Sequence, residues 1–245
     1  MTDGSNQLVP NDGVALVTGA SRGIGRAVAL RLATAGRPVG LIARNAGAMH
    51  HVVQRITEAG GTAELVSCDL AEPVKIRDAI ERLRAALGPI RVLINNAGVF
   101  LDRPVSAIGF DQWEHILRVN LTAPFLVTQA VWADMVDGGG GIIVNIASKA
   151  ALQGYVGQSA YAASKAGLLG WGRAVALEGK PHNIRVHTLC PGGVDTDLIA
   201  GTSLGQRLAG EVMLRPEDVA EAVQYCVSRP GNVDIPEIMM GRFSS

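Results

Sequence analysis

The chain has 245 residues, 48% of them apolar but only 4% aromatic, and its 22 basic and 22 acidic side chains leave a formal net charge of zero. Balanced, interspersed charge excludes the basic face that draws nucleic acid or an anionic membrane from a distance, and the aliphatic-rich composition argues against global disorder. No stretch reaches the roughly 18 consecutive apolar residues of a membrane helix, and Cys68, Cys190 and Cys226 are widely spaced in apolar runs, as buried free thiols are. A small-molecule partner and a cytoplasmic location are therefore expected, with no nucleic acid, no membrane and no metal.

Residues 1–12 are polar and lack the positive start and apolar stretch of a signal peptide, so they read as a flexible lead into one domain over 13–245. VALVT at 14–18 is a β-branched run ending in the turn Thr18-Gly19-Ala20-Ser21-Arg22-Gly23-Ile24-Gly25, and an amphipathic helix follows to about Ala35. Between a first strand and a first helix, such glycines let the backbone turn tightly against a pyrophosphate, while free N–H groups and the helix dipole favour its charge.

The second strand, VGLIA at 39–43, ends where many dinucleotide folds carry a carboxylate for the adenosine ribose 2′-hydroxyl. Here Ala43 and Arg44 stand in its place. An arginine grips a 2′-phosphate with paired charged hydrogen bonds, so NADP(H) is expected in preference to NAD(H), with Arg22 as a second charge.

Further runs follow at 63–67, 92–95, 142–147 and 186–189, separated by helical patterns. Strands alternating with helices build right-handed βαβ units, hence an α/β, doubly wound, mainly parallel sheet with helices on both faces. Asp111 with Glu114 three residues on resembles a capping box, and Pro216 with Glu217 and Asp218 suits the first turn of another helix. The Gly138–Gly141 run reads as a flexible connection. Residues 200–214 are poorly patterned, in the position where substrate lids sit.

Tyr161 and Lys165 are four apart and share one helix face, where a neighbouring ammonium favours the phenolate and is expected to lower the tyrosine pKa. Ser148, thirteen residues before Tyr161, follows the strand at 142–147 and projects from the carboxyl edge of the sheet, where ligands bind in such folds. Its hydroxyl is placed to hydrogen-bond a substrate oxygen. Pro124, four residues after Asn120, cannot donate the N–H that would occupy the Asn120 carbonyl.

Taken together these motifs resemble the short-chain dehydrogenase/reductase family, in its shorter branch, over nearly everything from Gly13 to Asp218. The family's TGxxxGxG corresponds to Thr18 through Gly25, its adenine-ring aspartate to Asp69 before Leu70, and its NNAG to Asn95, Asn96, Ala97 and Gly98. Asn120, Ser148, Tyr161 and Lys165 match its catalytic positions, and Pro191-Gly192 with Val194 and Thr196 its nicotinamide-side motif.

The resemblance implies a Rossmann-like sheet of seven strands and an alcohol–carbonyl oxidoreductase. Arg44 and Asn45 would then stand at the adenosine phosphate. Ser148 would orient the carbonyl, Tyr161 move the proton, Lys165 hold the nicotinamide ribose, and Asn120 anchor a water leading to Lys165. It also implies a homodimer or homotetramer through a four-helix contact, for which Leu168, Leu169, Trp171 and Val175 supply apolar surface. The ending, CVSRPGNVDIPEIMMGRFSS, departs from the family's frequent ITG and VDGG pattern.

Two other functions fit less well. A dinucleotide-binding regulator has no need of all four catalytic residues. A nucleotide-sugar epimerase is expected to need more sequence for its substrate domain.

Overall fold

The computed structural model describes residues 13–199 and 201–243, so the expected lead over 1–12 lies outside the described residues. Apolar runs buried on both faces must satisfy their backbone by pairing side by side. They do so in one sheet, β1 (Val14–Thr18), β2 (Val39–Ala43), β3 (Ala63–Ser67), β4 (Ile90–Asn95), β5 (Gly141–Ile146), β6 (Ile184–Pro191) and β7 (Glu237–Met240), of which the edge strands β3 and β7 are only partly buried. Their order is β3-β2-β1-β4-β5-β6-β7, and every neighbouring pair is parallel.

The first three strands coincide with the runs in the sequence. β6 is longer than its run because it pairs with two neighbours at staggered positions, from Ile184 with β5 and to Pro191 with β7. β5 begins and ends one residue before its run, although Ala147 still donates its N–H to the Leu189 carbonyl at 2.8 Å.

Alternation along each strand feeds two apolar layers. Ala15, Val17, Ile94 and Val144 pack with α1 (Gly23–Thr34), α2 (Ala46–Glu58) and α8 (Pro216–Val227). Val14, Leu16, Leu93 and Ile143 pack with α3 (Pro73–Leu87), α5 (Ala123–Asp137) and α6 (Ser159–Gly179). Each large aliphatic side chain buried this way stabilises the fold by about 1.5–3 kcal/mol. The three cysteines are free and buried, and burial pushes the Cys226 thiol up to about 11.

Two local expectations change. The cap of α4 (Phe110–Leu117) is Gly109, not Asp111, and half a box forms there: Gln112 Oε1 accepts the Gly109 N–H at 3.2 Å, while glycine brings no side-chain acceptor. The chain enters its helical turn two residues earlier, and Asp111 falls inside the first turn. The glycines at 138–140 are more than a flexible connection: the buried Arg91 guanidinium donates to the carbonyls of Asp134, Gly138 and Gly140. A Cβ on Gly138 would occupy the place of that guanidinium.

Between α4 and α5 the helix widens into a π turn over Arg118–Thr122, just before Pro124. Proline removes the N–H that an α-helix would bond to Asn120, and a π turn accommodates that loss.

Candidate active site

The strand order reverses between β1 and β4, and a cavity of about 580 Å³ opens at their carboxyl ends. Of the expected site residues, all but Gly25 and Asn120 line it.

At one end lies the glycine turn. Gly19 adopts φ +67°, a left-handed conformation that costs a side-chain-bearing residue, and Gly25 packs directly against the Gly19 carbonyl. Gly25 therefore shapes the turn from behind. Thr18 locks the turn to β4: its Oγ donates to the Ile94 carbonyl at 3.2 Å and accepts the N–H groups of Asn96 and Ala97 at 3.0 and 3.1 Å. Asn96 completes the tie, donating Nδ2 to the carbonyls of Thr18 and Gly19.

The start of α1 has neither a side-chain cap nor an acidic residue in its first turn. Its N–H groups thus open on the cavity without a side-chain acceptor, which fits a pyrophosphate. At the end of β2, Ala43 is buried and brings no carboxylate, and the exposed Arg44 enters no ion pair among the described residues. Asn45 has a structural task as well, capping α2 by accepting the Ala48 N–H at 2.9 Å. Arg22 is 3.6 Å from Asp197, both largely exposed, so this ion pair contributes little. Asp69 accepts the Ala71 N–H at 3.0 Å, which fixes its carboxylate on the cavity wall.

At the other end, β5 and α6 bring Ser148, Tyr161 and Lys165 together. Tyr161 is 7% and Lys165 4% exposed. Burial pushes the Tyr161 hydroxyl up to about 12, with a hydrogen bond to Ser148 working against it. Burial brings Lys165 down to about 8.

The expected lowering of Tyr161 by the ammonium does not occur in this structure. Lys165 Nζ is 5.9 Å from the tyrosine ring centroid and donates to the Ile146 carbonyl at 2.8 Å, so desolvation of the phenol dominates. Asn120 lies behind the wall, fully buried. Its Oδ1 accepts the Val99 N–H, and its Nδ2 donates to the Val99 carbonyl and to Ser164 Oγ, which fastens the loop after β4 to α6.

Phe100, which belongs to none of the sequence motifs, also lines the cavity. Its ring meets Tyr161 edge to face at 4.9 Å and 75°, restraining the phenol. Its place two residues after Gly98 was the available signal. Lys149 and Arg242 also line the cavity and were not anticipated.

A model of the short chain dehydrogenase family matches residues 13–206. A 3-oxoacyl-acyl-carrier-protein reductase of Aquifex aeolicus is 36% identical over 222 residues, covering 88% of this chain and 90% of that protein. An acetoacetyl-CoA reductase of Rhizobium meliloti is 36% identical with the same coverage of both, 88% and 90%. Among solved structures, a metagenomic short-chain oxidoreductase in complex with NADP is similar at a TM-score of 0.83 and 33% identity, covering 98% of this chain and 100% of that one. A variant of actinorhodin polyketide ketoreductase with NADPH gives a TM-score of 0.86 at 32% identity, covering 94% of this chain and 96% of the other.

Proposed function

The chain belongs to the short chain dehydrogenase family of oxidoreductases, and from that premise we propose that it interconverts an alcohol and a ketone or aldehyde using NADP(H). The observation that carries the proposal is one cavity with an uncapped helix start and a carboxylate-free strand end on one side, and Ser148, Tyr161 and Lys165 on the other. The nicotinamide, when bound, supplies or accepts the hydride. Ser148 donates a hydrogen bond to the substrate oxygen and orients it. Tyr161, with its hydroxyl held near 12, remains protonated at neutral pH and donates that proton to the oxygen in the reducing direction.

Lys165 presents its ammonium beside the phenol and holds the nicotinamide ribose, and Asn120 anchors a water leading toward it. Arg44, with Arg22, meets the 2′-phosphate. Two partly exposed charge-assisted bonds of about 1.5–3 kcal/mol each are enough to favour NADPH over NADH by at least tenfold.

The test compares kcat/KM for NADPH and NADH in the parent and in Ala43→Asp with Arg44→Ser. The parent is expected to prefer NADPH and the double variant NADH, because the new carboxylate repels the phosphate and accepts from the free ribose hydroxyls. Equal efficiency in the parent would remove Arg44 from the cofactor site.

A further inference from the structure

Lys149 follows Ser148 directly and opens the 3₁₀ turn Lys149–Ala151. Its side chain lines the active-site cavity in a slot left by two glycines. A Cβ added at Gly192 would lie 3.4 Å from Lys149 Cδ, and one added at Gly241 would lie 2.5 Å from Lys149 Nζ. Larger residues at either place would push the lysine aside.

Among the described residues this ammonium enters no ion pair. Arg242, just beyond β7, lines the same cavity and pairs at 3.0 Å with Glu211, which does not line it. The carboxylates that do line the wall, among the described residues, are Asp69 after β3 and Asp197 beside Arg22. Neither pairs with Lys149. A cation drawn into a partly desolvated cavity loses hydration that an anionic partner can replace.

We propose that Lys149, supported by Arg242, is an anion subsite next to Ser148, and that the carbonyl substrate carries a carboxylate or phosphate which binds there. The proposal rests on the alcohol–carbonyl reading of the site. It narrows the substrates to anionic oxo compounds and makes Lys149 a specificity residue that touches substrate.

The test measures kcat/KM with NADPH for acetoacetate, its neutral methyl ester and dihydroxyacetone phosphate, in the parent, Lys149→Met and Gly241→Ala. The parent is expected to prefer an anion. Lys149→Met should lower that anion's kcat/KM by about tenfold while leaving the neutral ester within about twofold, and Gly241→Ala should act in the same direction. Loss confined to acetoacetate identifies a carboxylate, and loss confined to dihydroxyacetone phosphate identifies a phosphate. Equal loss on all three, or none, overturns the subsite.

Two binding measurements that need no turnover accompany it. NADPH affinity, read by its fluorescence, should be unchanged in Lys149→Met; a tenfold loss would assign Lys149 to the cofactor and overturn the proposal. Binding of the preferred anion, acetoacetate or dihydroxyacetone phosphate, to the NADPH complex should weaken in Lys149→Met. Charge-dependent binding without any reduction would sink the reductase reading and keep the subsite, whereas binding indifferent to Lys149, or absent, overturns the subsite itself.

Discussion

The Lys165 ammonium is nearly enclosed, donates to the Ile146 carbonyl, and has a pKa brought down by burial to about 8. Its value in the unfolded chain is the ordinary one near 10.5. Between about 8 and 10.5 the unfolded chain therefore binds more protons, and stability rises with pH across that window. Below about 8 the penalty for burying the charge is complete. Lys165→Met is accordingly predicted to gain more in Tm relative to the parent at pH 7 than at pH 10, by about 2–4 °C for each kcal/mol of penalty removed. Calorimetry at the two pH values checks this. The same Tm difference at both would mean that Lys165 titrates normally. The pairing of Tyr161 with Lys165 was legible because four-residue spacing places two side chains on one helix face. The balance of burial over charge was not, since desolvation depends on Phe100 and on strand ends distant in sequence.

Among the elements, α7 (Ser203–Arg207) spans only five residues, too few for a helix to hold itself without tertiary support. Asp102, with a side chain 7% exposed, accepts the Leu204 N–H at 2.8 Å and lies 3.6 Å from Arg207. The neighbouring Arg103 N–H donates to the Gly157 carbonyl at 2.8 Å. The loop after β4 thus fixes both the approach to α6 and the poorly patterned segment that contributes Leu204 and Leu208 to the cavity wall.

Asp102→Ala is expected to speed hydrogen exchange at the Leu204 amide and raise KM for the carbonyl substrate several-fold, with NADPH affinity unchanged. Unaltered exchange there would show that α7 is held by its apolar contacts alone. Local signals revealed the longer helices: the amphipathic pattern for α1, the four-residue Tyr161–Lys165 spacing for α6, and Pro216 with Glu217 and Asp218 for α8. A five-residue helix held by an aspartate about a hundred positions away leaves no such trace. The shift of the α4 cap from Asp111 to Gly109 has a similar origin: glycine is an adequate cap, and Gln112 supplies the return bond.

For the whole molecule, the sheet was legible because strands buried on both faces are nearly continuous apolar runs, and because helices between them force parallel pairing. The converging strand ends then gather motifs far apart in the chain into one cavity. Three of the residues expected at a contact between copies, Leu168, Leu169 and Val175, are instead buried in the chain's own apolar clusters. Phe110 and Phe125, 72% and 44% exposed on α4 and α5, are the better candidates for a contact between copies. We predict that Phe125→Glu reduces the mass measured by light scattering at micromolar concentration, from an oligomer in the parent; a monomeric parent would remove the interface.

We propose that Tyr161 moves the proton in an NADP(H)-linked interconversion of alcohol and carbonyl. It is tested most directly by the rate of NADPH-dependent reduction in Tyr161→Phe beside the parent, using the best carbonyl from a panel of ketones, quinones, sugars, steroids and β-keto esters. Unchanged NADPH affinity with kcat lowered about 10²–10⁴-fold is the predicted result, because the substitution removes only the proton that must move. A kcat within about threefold of the parent would contradict the account.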